Sequence, residues 1–386
     1  MVFLSSRRAF LHTAMNAGIS ASLLKKEPHR MHTSDLRVFV GTYTVDTDSK
    51  GIYAFDLNVT GQNAGKAKCL VRQKNPSYLS INAARNTLYA VEESFGTTGE
   101  EGGLWAYRIH HHGEALEALG RIGSLGVGPC FLSLDRRNKT LFTANYHSGS
   151  ILSVRLRDDG SLGQIASHVQ LTGSSVHPQR QRSSHPHAIV VTPDNQHVLV
   201  ADLGADQLKV FRLDAESGML SAMPVMTISF PGGFGPRHLV LNPRRPFLYV
   251  IHEIASVVTT HKLLDRDIVS PAIQTLPVQP SDFTGIADAA DIVLDDIHNV
   301  LYTSTRQTSS LRRFSVHSLT GLLTVLDDFP SEGRSPHALG LETSGTLLLA
   351  ANLQTNNVAV FRRKSRGAPA FLESVEIPSP SSIAFF

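Results

Sequence analysis

Three residues combine reactive chemistry with a shared setting. His187, Arg237 and His337 each directly follow a proline, in Pro186-His187-Ala188-Ile189, Pro236-Arg237-His238-Leu239 and Pro336-His337-Ala338-Leu339. Imidazole exchanges protons near neutral pH, and guanidinium is a permanent cation that grips anions. The same tetrad recurs as Pro76-Ser77-Tyr78-Leu79, Pro129-Cys130-Phe131-Leu132 and Pro380-Ser381-Ser382-Ile383, and once without proline as Ala289-Ala290-Asp291-Ile292. A repeat kept for packing alone favours small or apolar residues at its second position. Ser77, Cys130, Ala290 and Ser381 comply; the other three do not. A second equivalent position, six residues into a later apolar run, holds Tyr43, Glu93, Tyr146, Leu203, Glu253, Arg306 and Leu353. Buried charge is costly unless paired. Arg237, Arg306, Glu93, Glu253 and two histidines therefore read either as a paired structural network or as a small-anion site, and such networks also form without catalysis.

The elements that carry these positions repeat about every fifty residues. Twelve residues after each of the first six tetrads begins, a second apolar run starts, at Leu88, Leu141, Val198, Leu248, Leu301 and Leu348, spaced 47 to 57 residues apart. The last tetrad has no such run after it, because the chain ends at Phe386; the missing run lies at the other end, at Val38-Phe39-Val40-Gly41. A third run with alternating apolar residues closes each unit, as in Leu104-Trp105-Ala106-Tyr107 and Val358-Ala359-Val360-Phe361. These short, β-branched or aromatic runs between turn residues predict strands. No helix is expected after residue 34. Seven such units, with the first and last sharing one blade, predict an all-β fold, a seven-bladed β-propeller over residues 35–386 whose last blade is closed by both termini. Paired β-sandwiches or an open solenoid are the alternatives, and neither explains the split unit. In a propeller the inner strands surround a channel, which would bring the singled-out positions together.

Other signals are weaker. His110-His111-His112 and the remaining histidines read as solvated loop residues, and Asp46, Asp48, Asp158-Asp159 and Asp295-Asp296 as turn carboxylates. Asn145, Asp202 and Asn352 occupy equivalent positions and keep a channel calcium site open. The segment Pro231-Gly232-Gly233-Phe234-Gly235 reads as a flexible loop that could let backbone approach a ligand. There is no His-Glu-x-x-His, no Gly-x-Ser-x-Gly and no phosphate-cradling glycine loop. Cys69 and Cys130 cannot build a disulfide framework or a cysteine-based zinc cluster. No cofactor and no metal are expected. Of 386 residues, 41% are hydrophobic and 18% charged, which excludes a wholly disordered chain, and 36 basic against 33 acidic residues give a net charge of +3, too balanced for a dedicated nucleic-acid binder. No apolar stretch approaches the ~18 residues of a membrane span. A closed ring needs no partner to complete its core, so a monomer is expected. Residues 1–34 stand apart. Ser5-Ser6-Arg7-Arg8-Ala9-Phe10-Leu11 and a weak apolar stretch read either as a twin-arginine export signal or as an extension before a true start at Met31; export follows from the first reading and a cytoplasmic protein from the second.

Several segments together resemble a known family. Gly41-Thr42-Tyr43-Thr44, Pro76-Ser77-Tyr78-Leu79, Ala144-Asn145-Tyr146, His185-Pro186-His187-Ala188, Gly235-Pro236-Arg237-His238, Tyr249-Val250-Ile251-His252-Glu253 and Ala351-Asn352-Leu353 look like the seven-bladed propeller lactonases. That family includes propeller-type bacterial 6-phosphogluconolactonases and fungal carboxy-muconate cyclases. The resemblance spans residues 37–386. Its cyclase members use a His, an Arg, a Glu and a second Arg without metal, which the motifs carry over to His187, Arg237, Glu253 and Arg306. The same channel positions place Glu93, Tyr146 and His337 as substrate-binding residues. The chain departs from the family pattern at His252, where Asn is usual, at Asp291, where Glu is common, and at His337, where Arg is common.

The resemblance implies hydrolysis of an anionic sugar lactone, 6-phosphogluconolactone first. Glu253 or His187 would take a proton from water, and Arg237 and Arg306 would clamp the anionic group and the carbonyl oxyanion. The rivals are a muconate-type lactonising cycloisomerase with the same residues, a non-catalytic binding propeller, and a calcium-dependent lactonase.

Overall fold

The computed structural model describes residues 35–58, 64–95, 100–264, 269–285 and 287–386. Residues 1–34, with the export-signal reading, lie outside them. Among the described residues, 29 strands form seven antiparallel sheets, β1–β29 in chain order. The seven tetrads lead or form the inner strands: β4 (Leu79–Asn82), β8 (Pro129–Leu134), β12 (Pro186–Val191), β17 (Pro236–Leu241), β21 (Ala289–Asp295), β25 (Pro336–Leu341) and β29 (Pro380–Phe385). Proline suits this place because the first residue of a strand can forgo a ladder hydrogen bond.

β29 pairs antiparallel with β1 (Asp35–Thr42), with Val40 opposite Ile383, and β2 (Gly51–Asn58) and β3 (Lys68–Arg72) complete that blade. The two ends of the described chain thus share a sheet, and the ring has no free seam. The expected seven-bladed propeller closed by both termini is the fold found. The blade built on β12 departs from four strands. Its third strand β14 (Gln207–Asp214) carries two short partners, β15 (Met219–Leu220) and β16 (Met226–Ser229). Among the described residues helix is limited to three single 3₁₀ turns, at Ala83–Arg85, His111–Gly113 and Leu203–Ala205.

The second strands are buried along most of their length, mainly through apolar residues, because neighbouring blades cover both faces. Every residue of β18 (Phe247–His252) and of β26 (Leu347–Asn352) is buried. Phe142, Val200, Phe211, Leu248 and Val250 belong to one continuous cluster, and Val38, Phe55, Leu347, Leu349 and Val360 form another across the closing blade and its neighbour.

The inner strands share a device that aims side chains. Pro186 faces Asp202 while Ala188 faces Ala201, so His187 is an extra residue in the ladder. Cys130, Arg237, His337 and Ser381 are extra residues in the same way, and β21 shifts register between Ala289 and Ile292. Such a bulge frees one residue from the alternating pattern and re-aims its side chain. Here it explains how Cys130, His187, Arg237, His337 and Ser381 come to line one cavity.

Candidate active site

Most of the bulged residues and of the residues after the second strands meet in one cavity of about 240 Å³. Its walls include His187, Arg237, Glu253, Arg306, Glu93, Tyr146 and His337, so all seven residues singled out in the sequence come together. Ser77, Cys130, Ser381 and Tyr43 also line it from the positions the repeat indicated; Ala290, Leu203 and Leu353 do not. The volume suits a small molecule, slightly under the ~300–1000 Å³ of typical ligand pockets.

Glu253 is the electrostatic centre. It follows β18 directly and is 1% exposed. Its Oε2 lies 2.9 Å from Arg237 Nε and 3.1 Å from Arg306 Nη2, and its Oε1 accepts a hydrogen bond from Arg180 Nη2. Burial alone would raise its pKa, but Arg306, Arg237 and Arg180 together hold it well below the usual carboxylate range. A carboxylate so paired is a poor proton acceptor. Of the two bases expected from the sequence, Glu253 is thus ill suited to the role.

Arg237 is held through both amino groups. It is 1% exposed; one amino group donates to the Ala290 carbonyl and the other lies 3.4 Å from His337 Nε2. His337 Nδ1 lies 3.1 Å from the Ser381 carbonyl, which only a protonated Nδ1 can bond, so Nε2 is left to accept from Arg237. Burial, and after it Arg237 and Arg306, lowers the His337 pKa to about 3. Arg306 also bonds Asp288 through Nη2 at 2.8 Å. His187 is held well below its ordinary value by burial and then by Arg237, so its imidazole is neutral. Tyr146 packs edge-on against it at 5.3 Å between ring centres, and His238 at 5.2 Å.

Glu93 has a different environment. It follows β5 (Thr87–Glu92), is buried, and accepts hydrogen bonds from the hydroxyls of Ser77 and Tyr43. Among the described residues no cation makes an ion pair with it. Burial raises its pKa to about 7, with Ser77, Tyr43 and the more distant Arg237 opposing.

Four lining residues escaped sequence analysis: Tyr78, His147, Arg180 and His238. Arg180 comes from the loop between β11 (Leu162–Gln170) and β12, and its side chain is 40% exposed over the cavity mouth. The loop is pinned by the fully buried Gln181, whose side chain donates to the Leu203 carbonyl at 2.9 Å and accepts from the His177 amide at 3.0 Å. It also runs so close to Gly204 that a Cβ there would sit 1.9 Å from the Ser183 carbonyl oxygen. The available signal was the 57-residue spacing between Leu141 and Val198, the longest in the repeat. His238 is held as firmly. Its Nδ1 bonds Asp291 at 2.8 Å, and its ring nitrogens lie 3.3 and 3.2 Å from Arg237 Nη1.

Other expectations are corrected. His238, His252 and His261 are buried strand residues, not solvated loop residues. Asp295 is a buried strand end bonded to His298, not an exposed turn carboxylate. Asn145, Asp202 and Asn352 do not converge on a shared site. Asn145 and Asn352 donate to the carbonyls of Ser124 and Ser331, and Asp202 accepts from Ser184, Lys209 and the His185 amide, each fastening its own blade. Among the described residues no three His, Cys, Asp or Glu side chains are grouped to hold a metal ion. The amides of Gly233 and Gly235 are spent on the Asp206 carboxylate at 2.7 and 2.5 Å, so that glycine loop is tethered rather than offered to a ligand. Cys130, with its Sγ 4.0 Å from His187 Nδ1, is held as a thiol by burial.

Residues 37–385 match the family model described as "Lactonase, 7-bladed beta-propeller". The chain is 31% identical over 349 residues to the 6-phosphogluconolactonase of Bacillus subtilis, covering 90% of this chain and 97% of that one. It is 28% identical to the 6-phosphogluconolactonase of Formosa agariphila over 84% of this chain and 92% of the other. The solved structure of the periplasmic gluconolactonase of Pseudomonas aeruginosa superposes with a TM-score of 0.83 at 29% identity, covering 91% of this chain and 99% of that one. With its seven blades, its closing strand pair and its arginine-lined cavity, the chain belongs to the seven-bladed β-propeller lactonase family.

Proposed function

We propose that this protein hydrolyses an anionic sugar lactone in the channel cavity, with 6-phosphogluconolactone the first substrate to test, and that it uses protein side chains alone. The reading rests on one observation above the others: three arginines converge on the buried Glu253 at the wall of a small-molecule cavity in a lactonase-family chain.

Hydrolysis joins the water oxygen to the lactone carbonyl carbon, makes the carbonyl oxygen an oxyanion, and then breaks the ring C–O bond. The water proton goes to a base, and the departing ring oxygen takes a proton. Arg237 and Arg306 face the cavity with guanidinium planes already fixed, so they can hold oxyanion or anionic tail without reorganising. Arg180 at the mouth is the most exposed of the three and suits the outer end of the substrate. Glu253 keeps the three cations together; that is a positioning role. Neutral His187 can accept a hydrogen bond from the attacking water. Tyr146 and His337 shape the cavity beside His187 and Arg237.

The test is acid release from a lactone panel, 6-phosphogluconolactone and unphosphorylated gluconolactone among it, with and without chelator. Turnover unaffected by chelator supports the reading. Turnover abolished by chelator and restored by calcium would replace it with a metal-dependent one, and a protein inert toward every lactone would end it.

A further inference from the structure

Resting on the lactonase reading, we propose that Glu93 is the proton-transfer residue of this site: it takes the proton of the attacking water and returns it to the departing ring oxygen.

The cavity contains two buried carboxylates in opposite surroundings. Glu253 is saturated by three guanidiniums. Glu93, approaching from a different blade, has among the described residues hydroxyl partners only: Ser77 from the tetrad of its own blade and Tyr43 from the closing blade. The other titratable groups that face it are Cys130 and the fixed cation Arg237. Where two carboxylates of one site are pushed apart in acidity, their roles divide the same way. The arginine-bound one stays charged and positions cations. The hydroxyl-bound one gains and loses a proton near working pH, which is where a general base is most effective.

The proton balance closes. Ionised Glu93 removes one proton as the water oxygen bonds to the carbonyl carbon. The neutral acid then gives it to the ring oxygen as the C–O bond breaks, and Glu93 is ionised again. Ser77 and Tyr43 donate to the carboxylate and so stabilise its charged form. They are positioning residues.

The test compares wild type, Glu93→Gln, Ser77→Ala and Tyr43→Phe in the acid-release assay from pH 5 to 8. Wild-type kcat should rise with pH along a limb centred near 7. Glu93→Gln should lose kcat by about 10²–10⁴-fold with KM little changed, and the limb should vanish. Ser77→Ala and Tyr43→Phe remove donors to the carboxylate, so each should move the limb to higher pH by roughly one unit. Circular dichroism checks that each variant is folded. If Glu93→Gln cannot be purified folded, the limb shifts of the other two variants decide. An active wild type with Glu93→Gln raised in KM but unchanged in kcat and pH profile overturns this assignment alone and leaves Glu93 a binding residue. Limbs unmoved in both hydroxyl variants also overturn it. A wild type inert toward the whole panel overturns the lactonase reading, and the assignment with it.

Discussion

Replacing Glu253 by glutamine keeps the side chain's shape and removes its charge. Three guanidiniums then lose their common counter-ion, but not equally. Arg180 is 40% exposed and can turn into water, while Arg306, 18% exposed, keeps Asp288 at 2.8 Å. Arg237 is 1% exposed and, among the described residues, has no other carboxylate in ion-pair contact. One stranded cation, not three, therefore sets the cost. Removing one partner of a buried pair typically costs about 3–5 kcal/mol, so Glu253→Gln should be destabilised by that amount at pH 7. The sign with pH follows from the lowered carboxyl pKa. Wild type gains from the ionised carboxylate above the unfolded glutamate value near ~4.3 and loses that gain as pH falls toward the folded value, so the two proteins should converge in acid. Urea unfolding measured at pH 7 and in steps down to about pH 3 reads both quantities, the difference shrinking by at most about 1.4 kcal/mol per pH unit below ~4.3. The vacated arginine cluster should also bind an external anion. Phosphate at a hundred times its dissociation constant would restore about 2.7 kcal/mol to the variant, and far less to wild type. A variant as stable as wild type at pH 7, or one that phosphate does not stabilise, would refute the view that Glu253 serves to hold the cations.

Arg237→Ala should lower lactone turnover by about 10²–10³-fold in a protein that still folds; unchanged turnover removes Arg237 from the oxyanion or anion clamp. Gln181→Ala frees the loop that carries Arg180, and should raise KM for a phosphorylated lactone more than it lowers kcat, as steady-state kinetics would read. His252 and His261 are both buried and held neutral, chiefly by burial. The unfolded chain takes up their protons below about pH 6.5, so stability should fall as pH drops from there, and His252→Asn should flatten the slope by about 1.4 kcal/mol per pH unit in urea titrations. Deleting residues 380–386 removes the inner strand of the closing blade and should abolish cooperative unfolding; a truncated chain with wild-type thermal behaviour would contradict the strand pairing.

The fold was legible because each blade advertises itself. A proline precedes or opens the inner strand in six of the seven, a mainly apolar strand starts twelve residues after the tetrad, and the displaced copy at Val38 shows where the ring closes. The site positions were legible for the same reason: a repeat marks residues such as Arg237 that break its apolar rule. What lay off the period was invisible. Arg180 sits in an irregular loop, where nothing but extra length hints at a function. Histidine in a strand run, as at Tyr249-Val250-Ile251-His252, looks polar in sequence, yet His252 is buried because its Nε2 finds Thr259 Oγ1 at 2.9 Å, and Thr259 in turn meets His261. The contrast between Glu93 and Glu253 was beyond reach too. Both stand at the same repeat position, and only neighbours from other blades make one a saturated anion and the other a proton carrier.

The extra residue on the inner strands separates what the frame requires from what the substrate requires. Its backbone is excused from the ladder, so exchanging its side chain leaves the sheet's hydrogen bonds as they were. Each such site works as an independent socket around a common bore. A descendant enzyme can thus be retuned one blade at a time, from imidazole to guanidinium or from thiol to hydroxyl, without rebuilding the barrel of sheets that surrounds it.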